Sequence, residues 1–249
     1  MDNYIYSNVV NITNYNQEEF EIVAGKLIKY KGQTSNVIVP DGVSIIGEKA
    51  FYKCSNLIQI TMPNSVTKIE EQAFYQCYKL REITLDNIEV IGPFTFSECN
   101  ELKKICLPDC LKSIGNWAFS MCSELEDVII ENGVTNISYG MFNNCVKLKN
   151  ISIPNTITLI EGCAFKDCKN LKEIIVPQSV TKIGDEAFYG CSNLKNVIHP
   201  NHIKCGSFSG TPYAQPYLWK LHGKCEFCGG DFYGLFKKKC FDCKKPKSY

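Results

Sequence analysis

Arginine is almost missing. Arg81 is the only one, although lysine and arginine together number 27. The rigid guanidinium fork is the usual tool for bidentate reading of phosphate or guanine, so its scarcity weighs against that kind of nucleic-acid recognition. A charge of one sign is lacking too. The 27 basic side chains face 26 acidic ones, and no global field marks a polyanionic partner. Histidine is confined to His199, His202 and His222, and no Ser-His-Asp grouping, phosphate-binding loop or His-Glu-x-x-His occurs. His202 beside Cys205 is the nearest approach to a thiol–base pair. A noncatalytic chain is expected. No apolar run approaches the ~18–20 residues of a spanning helix. The opening "MDNYIYSNVVNITNYNQEE" has neither the basic nor the apolar region of a secretory signal. The expectation is a cytoplasmic protein without a membrane partner.

Cysteine, by contrast, is abundant at 15 residues. An odd count without an export signal favours reduced thiols over a disulfide framework. Seven of them keep time: Cys54, Cys77, Cys99, Cys122, Cys145, Cys168 and Cys191, at steps of 23, 22, 23, 23, 23 and 23. Phenylalanine stands three before each, from Phe51 to Phe188, and leucine three after, from Leu57 to Leu194. Three further on comes Ile or Val, from Ile60 to Val197. A period in the twenties marks a solenoid. Within each repeat Ile60 and Met62, or Ile174 and Val176, alternate as one face of a strand. Pro63, Pro108, Pro154 and Pro177 then close the strand where a donor is dispensable. The glycine of "SIIGEKAFYKC" permits a tight corner before an expected short helical turn. Stacked at the ~4.7–4.9 Å strand spacing, each cysteine meets its own copies. A thiol suits that site because it is small, mostly apolar and still a weak donor toward a turning carbonyl.

The segment "CKNLKEIIVPQSVTKIGDEAFYGC", residues 168–191, resembles the BspA-type leucine-rich repeat almost letter for letter, and the resemblance covers residues 18–214. It implies a mainly β, right-handed leucine-rich-repeat solenoid of ~23-residue coils over residues 48–205. Residues 18–47 resemble the family's N-terminal cap, a hairpin with the first half-coil. Residues 206–224 resemble the closing cap and linker, and 1–17 form an extension. The 77–99 repeat departs from the pattern. It is one residue short and lacks the proline, "LDNIEVIGPFTF", so a local change of twist is expected there.

Residues 225–249 carry a different signal. In "CEFCGGDFYGLFKKKC", extended to Cys243, two Cys-x-x-Cys knuckles stand eleven residues apart. Cys225, Cys228, Cys240 and Cys243 can furnish four thiolates for one structural Zn2+, with a short hairpin between the knuckles. This resembles a zinc ribbon. Iron on the same ligands, a thiol–disulfide pair and His222 as a substitute ligand stay open at this point. Lys237, Lys238, Lys239, Lys244, Lys245 and Lys247 surround the knuckles. With Phe232, Tyr233 and Phe236 they form an alternative nucleic-acid surface, or they screen the tetrathiolate around a small aromatic core.

What remains is surface. The residues flanking the inward strand positions form one column of Gln59, Glu82, Lys104, Asp127, Asn150, Glu173 and Asn196. A second column holds Thr61, Thr84, Cys106, Ile129, Ser152, Ile175 and Ile198. The first is polar; the second turns apolar toward its end. Ile129, Ile175 and Ile198, with Ser152, Glu173 and Asn196, are the candidate surface for an unidentified protein partner. The competing reading has Tyr213, Tyr217, Leu218 and Trp219 folding over it. Recognition without catalysis is the expected function. Nucleic-acid binding through the ribbon and a thiol-redox or metal-responsive role are its alternatives.

Overall fold

Two short strands and one turn-rich corner make each coil of this chain. The computed structural model describes residues 17–214, together with the backbone of residues 232–233 and 239–240. The first strand column runs through Asn36–Ile38, Gln59–Thr61, Lys104–Leu107, Asp127–Ile130, Asn150–Ser152, Glu173–Ile175 and Asn196–Ile198. Paired neighbours are parallel and in the register of the repeat, as in Val128 with Ile105 and Ile151. Their inward members, Ile60, Ile105, Val128 and Ile174, are buried. The second column consists of two-residue strands from Ile45–Ile46 to Lys182–Ile183. Between the columns each proline carbonyl accepts a turn amide three residues on, as in Val66 to Pro63 and Val180 to Pro177. Proline sits there without loss because its missing donor is not called upon.

The corner expected as a helical turn is instead a chain of β-turns. In the coil at 47–54, the amides of Ala50, Tyr52 and Cys54 donate back to Gly47, Lys49 and Phe51. The alternate amides of Lys49, Phe51 and Lys53 donate across to Glu71, Ala73 and Tyr75 of the next coil, at 3.1, 2.8 and 2.8 Å. An α-helix would turn the amides of Phe51 and Lys53 back into their own coil and leave them nothing for the neighbour. The first and third of these turns hold a left-handed residue in their third position. Lys49 and Lys53 supply it at φ 57° and 59°, as do Gln72 with Gln76 and Trp117 with Met121. Each such non-glycine residue costs roughly 1–2 kcal/mol, offset by the inter-coil bonds and the burial they permit. Among the described residues, helix is limited to three 3₁₀ segments, Gln17–Glu19, Cys205–Phe208 and Pro212–Ala214.

Phenylalanine fills the interior. Phe51, Phe74, Phe96, Phe119, Phe142, Phe165, Phe188 and Phe208 are all fully buried. Neighbouring rings from Phe51 to Phe188 stack at 5.0–5.8 Å with interplanar angles of 5–15°. At the N-terminal end Tyr30 and then Phe20 continue the stack, at 5.1 and 5.2 Å. They are held by the antiparallel hairpin of Phe20–Val23 with Lys26–Tyr30. At the other end Phe208 is met by His199 and Tyr213.

Beside the rings lies the thiol column. The Sγ–H of Cys77 donates to the carbonyl of Phe51 at 3.1 Å, and the same bond recurs from Cys99, Cys122, Cys145, Cys168 and Cys191 at 3.0–3.3 Å. Each of these carbonyls already accepts the amide of its own cysteine position, as Phe51 does from Cys54. Its second lone pair therefore serves the coil above. Cys145→Ala removes a buried sulfur and that second bond, with an expected loss of about 1–2 kcal/mol in urea unfolding.

The short repeat leaves a visible mark. After Gln59–Thr61 the first column is reduced to a single bridge from Gln59 to Glu82, and no pairing joins Glu82 to Lys104–Leu107. One missing residue prevents the strand from staying in step while its ring and thiol remain seated. The same column is also unpaired between Asn150–Ser152 and Glu173–Ile175. The second column is interrupted between Ser113–Ile114 and Asn136–Ile137. There Ser138 replaces the backbone bond seen at Gly115, its hydroxyl donating to the carbonyl of Ile114 at 2.7 Å.

Candidate interaction surface

The outward side chains of the first strand column form this surface, and the parallel register fixes which of them are neighbours. Ile129 lies between Cys106 and Ser152, and Ile175 lies beside Ile198. Ile175 and Ile198 are each 64% exposed and Ile129 is 38% exposed. Ser152, Glu173 and Asn196 are exposed on the same face. A shallow concavity, lined by Lys104, Asp127, Asn150 and Glu173, adjoins Ile129 and Ile175. Its position coincides with the unpaired junction between Asn150–Ser152 and Glu173–Ile175. Tyr213 packs inward on Phe208 and His199 and gives its amide to the carbonyl of Leu194. It belongs to the closing cap and not to a cover over the isoleucines. Tyr217, Leu218 and Trp219 lie outside the described residues.

Ion pairs run between coils along the flank of this face. Arg81 reaches Glu101 at 2.7 Å, Lys147 reaches Glu124 at 2.7 Å, and Lys149 reaches Glu126 at 2.9 Å. Asn150 donates to the Asp127 carboxylate at 2.7 Å. The Lys149 ammonium, through hydrogen bond and charge, draws the Glu126 carboxyl below its ordinary pKa. These contacts are exposed and contribute little to stability. They do settle which charges are spoken for.

The thiols differ by position. Burial pushes Cys77, Cys99, Cys122, Cys145 and Cys168 up, Cys122 to about 12. Cys54, only partly covered, is raised to about 11 by burial. Cys106 is exposed, yet its pKa is also raised, by desolvation and then by Glu131, whose carboxylate lies 3.9 Å away. A nucleophilic thiol needs the opposite setting. His202 donates its Nε2–H to the carbonyl of Val180 at 2.7 Å, which commits that nitrogen to a structural bond. Among the described residues no cluster of three or more His, Cys, Asp or Glu could hold a metal ion. Cys225, Cys228 and Cys243 lie outside the described residues. Cys240 is placed only by its backbone, in an antiparallel pair with Phe232.

Ile38 escaped the sequence reading. It heads the apolar column, 52% exposed and paired with Thr61. Counting the 23-residue step back one coil from Thr61 would have reached it. Tyr52, Tyr78, Tyr139 and Tyr189 are exposed on other corners and are not on this face.

The repeat has named relatives. The profile of the BspA type leucine rich repeat region matches residues 23–148 and 89–212, with six copies of its unit. The chain belongs to that family. Among solved structures, the leucine rich repeat protein of T. pallidum is 28% identical, with a TM-score of 0.51 over 59% of this chain and 82% of that one. Leucine-rich repeat proteins from Eubacterium ventriosum and Bacteroides ovatus are 22% and 24% identical, with TM-scores of 0.54 and 0.50. They cover 76% and 71% of this chain, and 46% and 65% of their own length is matched. A leucine rich cell surface protein from Faecalibacterium prausnitzii is matched over 59% of its length. The BspA-type chain thus spans only part of most of these relatives. No curated protein matches it. Among its described residues no helix is long and apolar enough to cross a membrane.

Proposed function

We propose that this BspA-type chain is a noncatalytic scaffold that binds another protein on the outward face of its first strand column. One observation carries the reading. Ile175 and Ile198 are largely exposed at a position that other coils fill with Thr61, Thr84 and Ser152. Threonine meets the β-branched preference of a strand without exposing apolar area, so strand propensity does not require isoleucine here. Solenoid faces of this kind are extended binding surfaces. The test is to recover cross-linked partners with the wild-type chain and with Ile175→Thr/Ile198→Thr. A partner on this face should be lost from the variant while the thermal midpoint stays put. Partners recovered equally by both would place recognition elsewhere.

The reading extends to the tail. Cys225, Cys228, Cys240 and Cys243 would hold one structural Zn2+, and the antiparallel pairing of Phe232 with Cys240 is consistent with a hairpin between the two knuckles. Four thiolates are a closed set, so the metal would supply folding free energy, on the order of 10 kcal/mol, and no open coordination position. Cys225→Ser/Cys228→Ser should release one equivalent of zinc by metal analysis and leave solenoid unfolding unchanged. Retention of full zinc content in that variant would sink the assignment. Among the described residues the ten cysteines from Cys54 to Cys191 are free, which suits a reducing, cytoplasmic setting.

A further inference from the structure

From the second full coil onward, the column immediately before the strand position reads Arg81, Lys103, Glu126, Lys149, Lys172 and Lys195. Two of its cations hold acids, Arg81 with Glu101 and Lys149 with Glu126; among the described residues Lys103 and the last two hold none. Among the described residues neither Lys172 nor Lys195 has a carboxylate within ion-pair distance, and Glu173 on the neighbouring column stays out of range. The amide of Lys195 donates to the carbonyl of Lys172 at 3.0 Å, so the two lysines stand on directly bonded coils. On those same two coils Ile175 pairs with Ile198.

Four exposed side chains therefore mark the corners of one patch, with exposed Glu173 and Asn196 between them on the same two strands. Coils are about 4.8 Å apart, and three residues of strand separate lysine from isoleucine by about 10 Å. Like charges on adjacent coils repel, and the fold gains nothing from placing two of them beside two uncovered isoleucines. Both features are relieved by a ligand that brings carboxylates and apolar side chains together.

We propose that the partner's contribution to this patch is an acidic amphipathic segment, its apolar residues on Ile175 and Ile198 and its carboxylates on Lys172 and Lys195. This rests on the reading of the strand face as a protein-binding surface and adds the chemistry of what binds. A helix, about 10–12 Å across with its side chains, laid along the stack spans the patch from lysines to isoleucines. The contact is charge-steered at its rim and apolar at its centre, the usual division of labour at interfaces.

The test uses the full chain and three peptides of equal length: an amphipathic Leu/Glu sequence, its Leu/Lys counterpart and polyglutamate. Binding is followed by fluorescence anisotropy at several salt concentrations. The Leu/Glu peptide should bind and the Leu/Lys peptide should not. Ile175→Thr/Ile198→Thr should weaken the Leu/Glu peptide by about tenfold. Lys172→Glu/Lys195→Glu should weaken it by about as much, flatten its salt dependence and admit the Leu/Lys peptide. Equal binding of both Leu peptides to the wild-type chain would overturn the proposal. So would polyglutamate binding as well as Leu/Glu, which would mark a general polyanion surface. An unchanged affinity after the lysine reversal would do the same. If cross-linked partners still depend on the isoleucines in that last case, only the acidic chemistry fails. If they do not, the scaffold reading fails with it.

Discussion

Phe119→Ala should cost about 3–5 kcal/mol, enough to exhaust much of an ordinary domain's stability. Its ring lies in the middle of the column, 5.1 Å from Phe96 and 5.8 Å from Phe142, without solvent contact. Truncation leaves a void between two rings that cannot close up, because both are pinned by inter-coil bonds. The amide of Phe96 donates to Ala118, and that of Phe142 to Ala164. Each lost stacked contact adds about 0.5–1.5 kcal/mol to the transfer loss. The same change at exposed Tyr52, which stacks on Tyr75 at the surface, should fall well below it. Urea midpoints measured on both variants decide the matter. A Phe119→Ala effect under about 1 kcal/mol would mean that the column is soft enough to collapse.

Alkali should unfold the solenoid steeply. For Cys77, Cys99, Cys122, Cys145 and Cys168, burial raises the pKa of the folded thiol, and the ordinary value returns on unfolding. Below about pH 9 both states hold the protons, and this stability is fully present. Above it the unfolded chain ionises while the folded one does not, so stability falls as pH rises. Each thiol contributes about 1.4 kcal/mol per pH unit, and five together about 7. A stability of about 5–15 kcal/mol is then consumed within one to two units. Circular dichroism should show one cooperative loss, with thiolate absorbance rising in step. Cys99→Ala/Cys122→Ala, compared at matched urea midpoints, should flatten the pH slope by about two protons. Thiolates that appear before the fold is lost would show the column to be open to solvent.

Much of this architecture can be read from residue spacing, for a physical reason. A stacked coil puts identical positions in contact, so the ring from Phe51 to Phe188, the thiol from Cys77 to Cys191 and the strand valine or isoleucine each face their own copies. Packing then imposes periodicity on sequence directly. The corner was less legible. "GEKAFYKC" has helical composition, and only inter-coil competition for alternate amides, as at Phe51 to Ala73, turns it into β-turns. Left-handed Lys49, Gln72 and Trp117 carry no glycine to announce them. The surface was legible by column but not by pairing. That Ile175 is exposed follows from strand alternation. That Lys172 lacks an acid while Lys149 has one depends on Glu126 standing one coil earlier. Ser138 could not be foreseen as a hydroxyl substitute for a backbone bond.

The three gaps in the strand columns never share a junction. Where Glu82 parts from Lys104, Val90–Ile91 still pairs with Ser113–Ile114. Where Ser113–Ile114 parts from Asn136–Ile137, Lys104–Leu107 still pairs with Asp127–Ile130. Where Asn150–Ser152 parts from Glu173–Ile175, Leu159–Ile160 still pairs with Lys182–Ile183. They are staggered like the joints of a brick wall. A crack opened at any one of them must cross an intact course before it can run through the molecule, which gives an array of local contacts the resistance to peeling of a continuous beam.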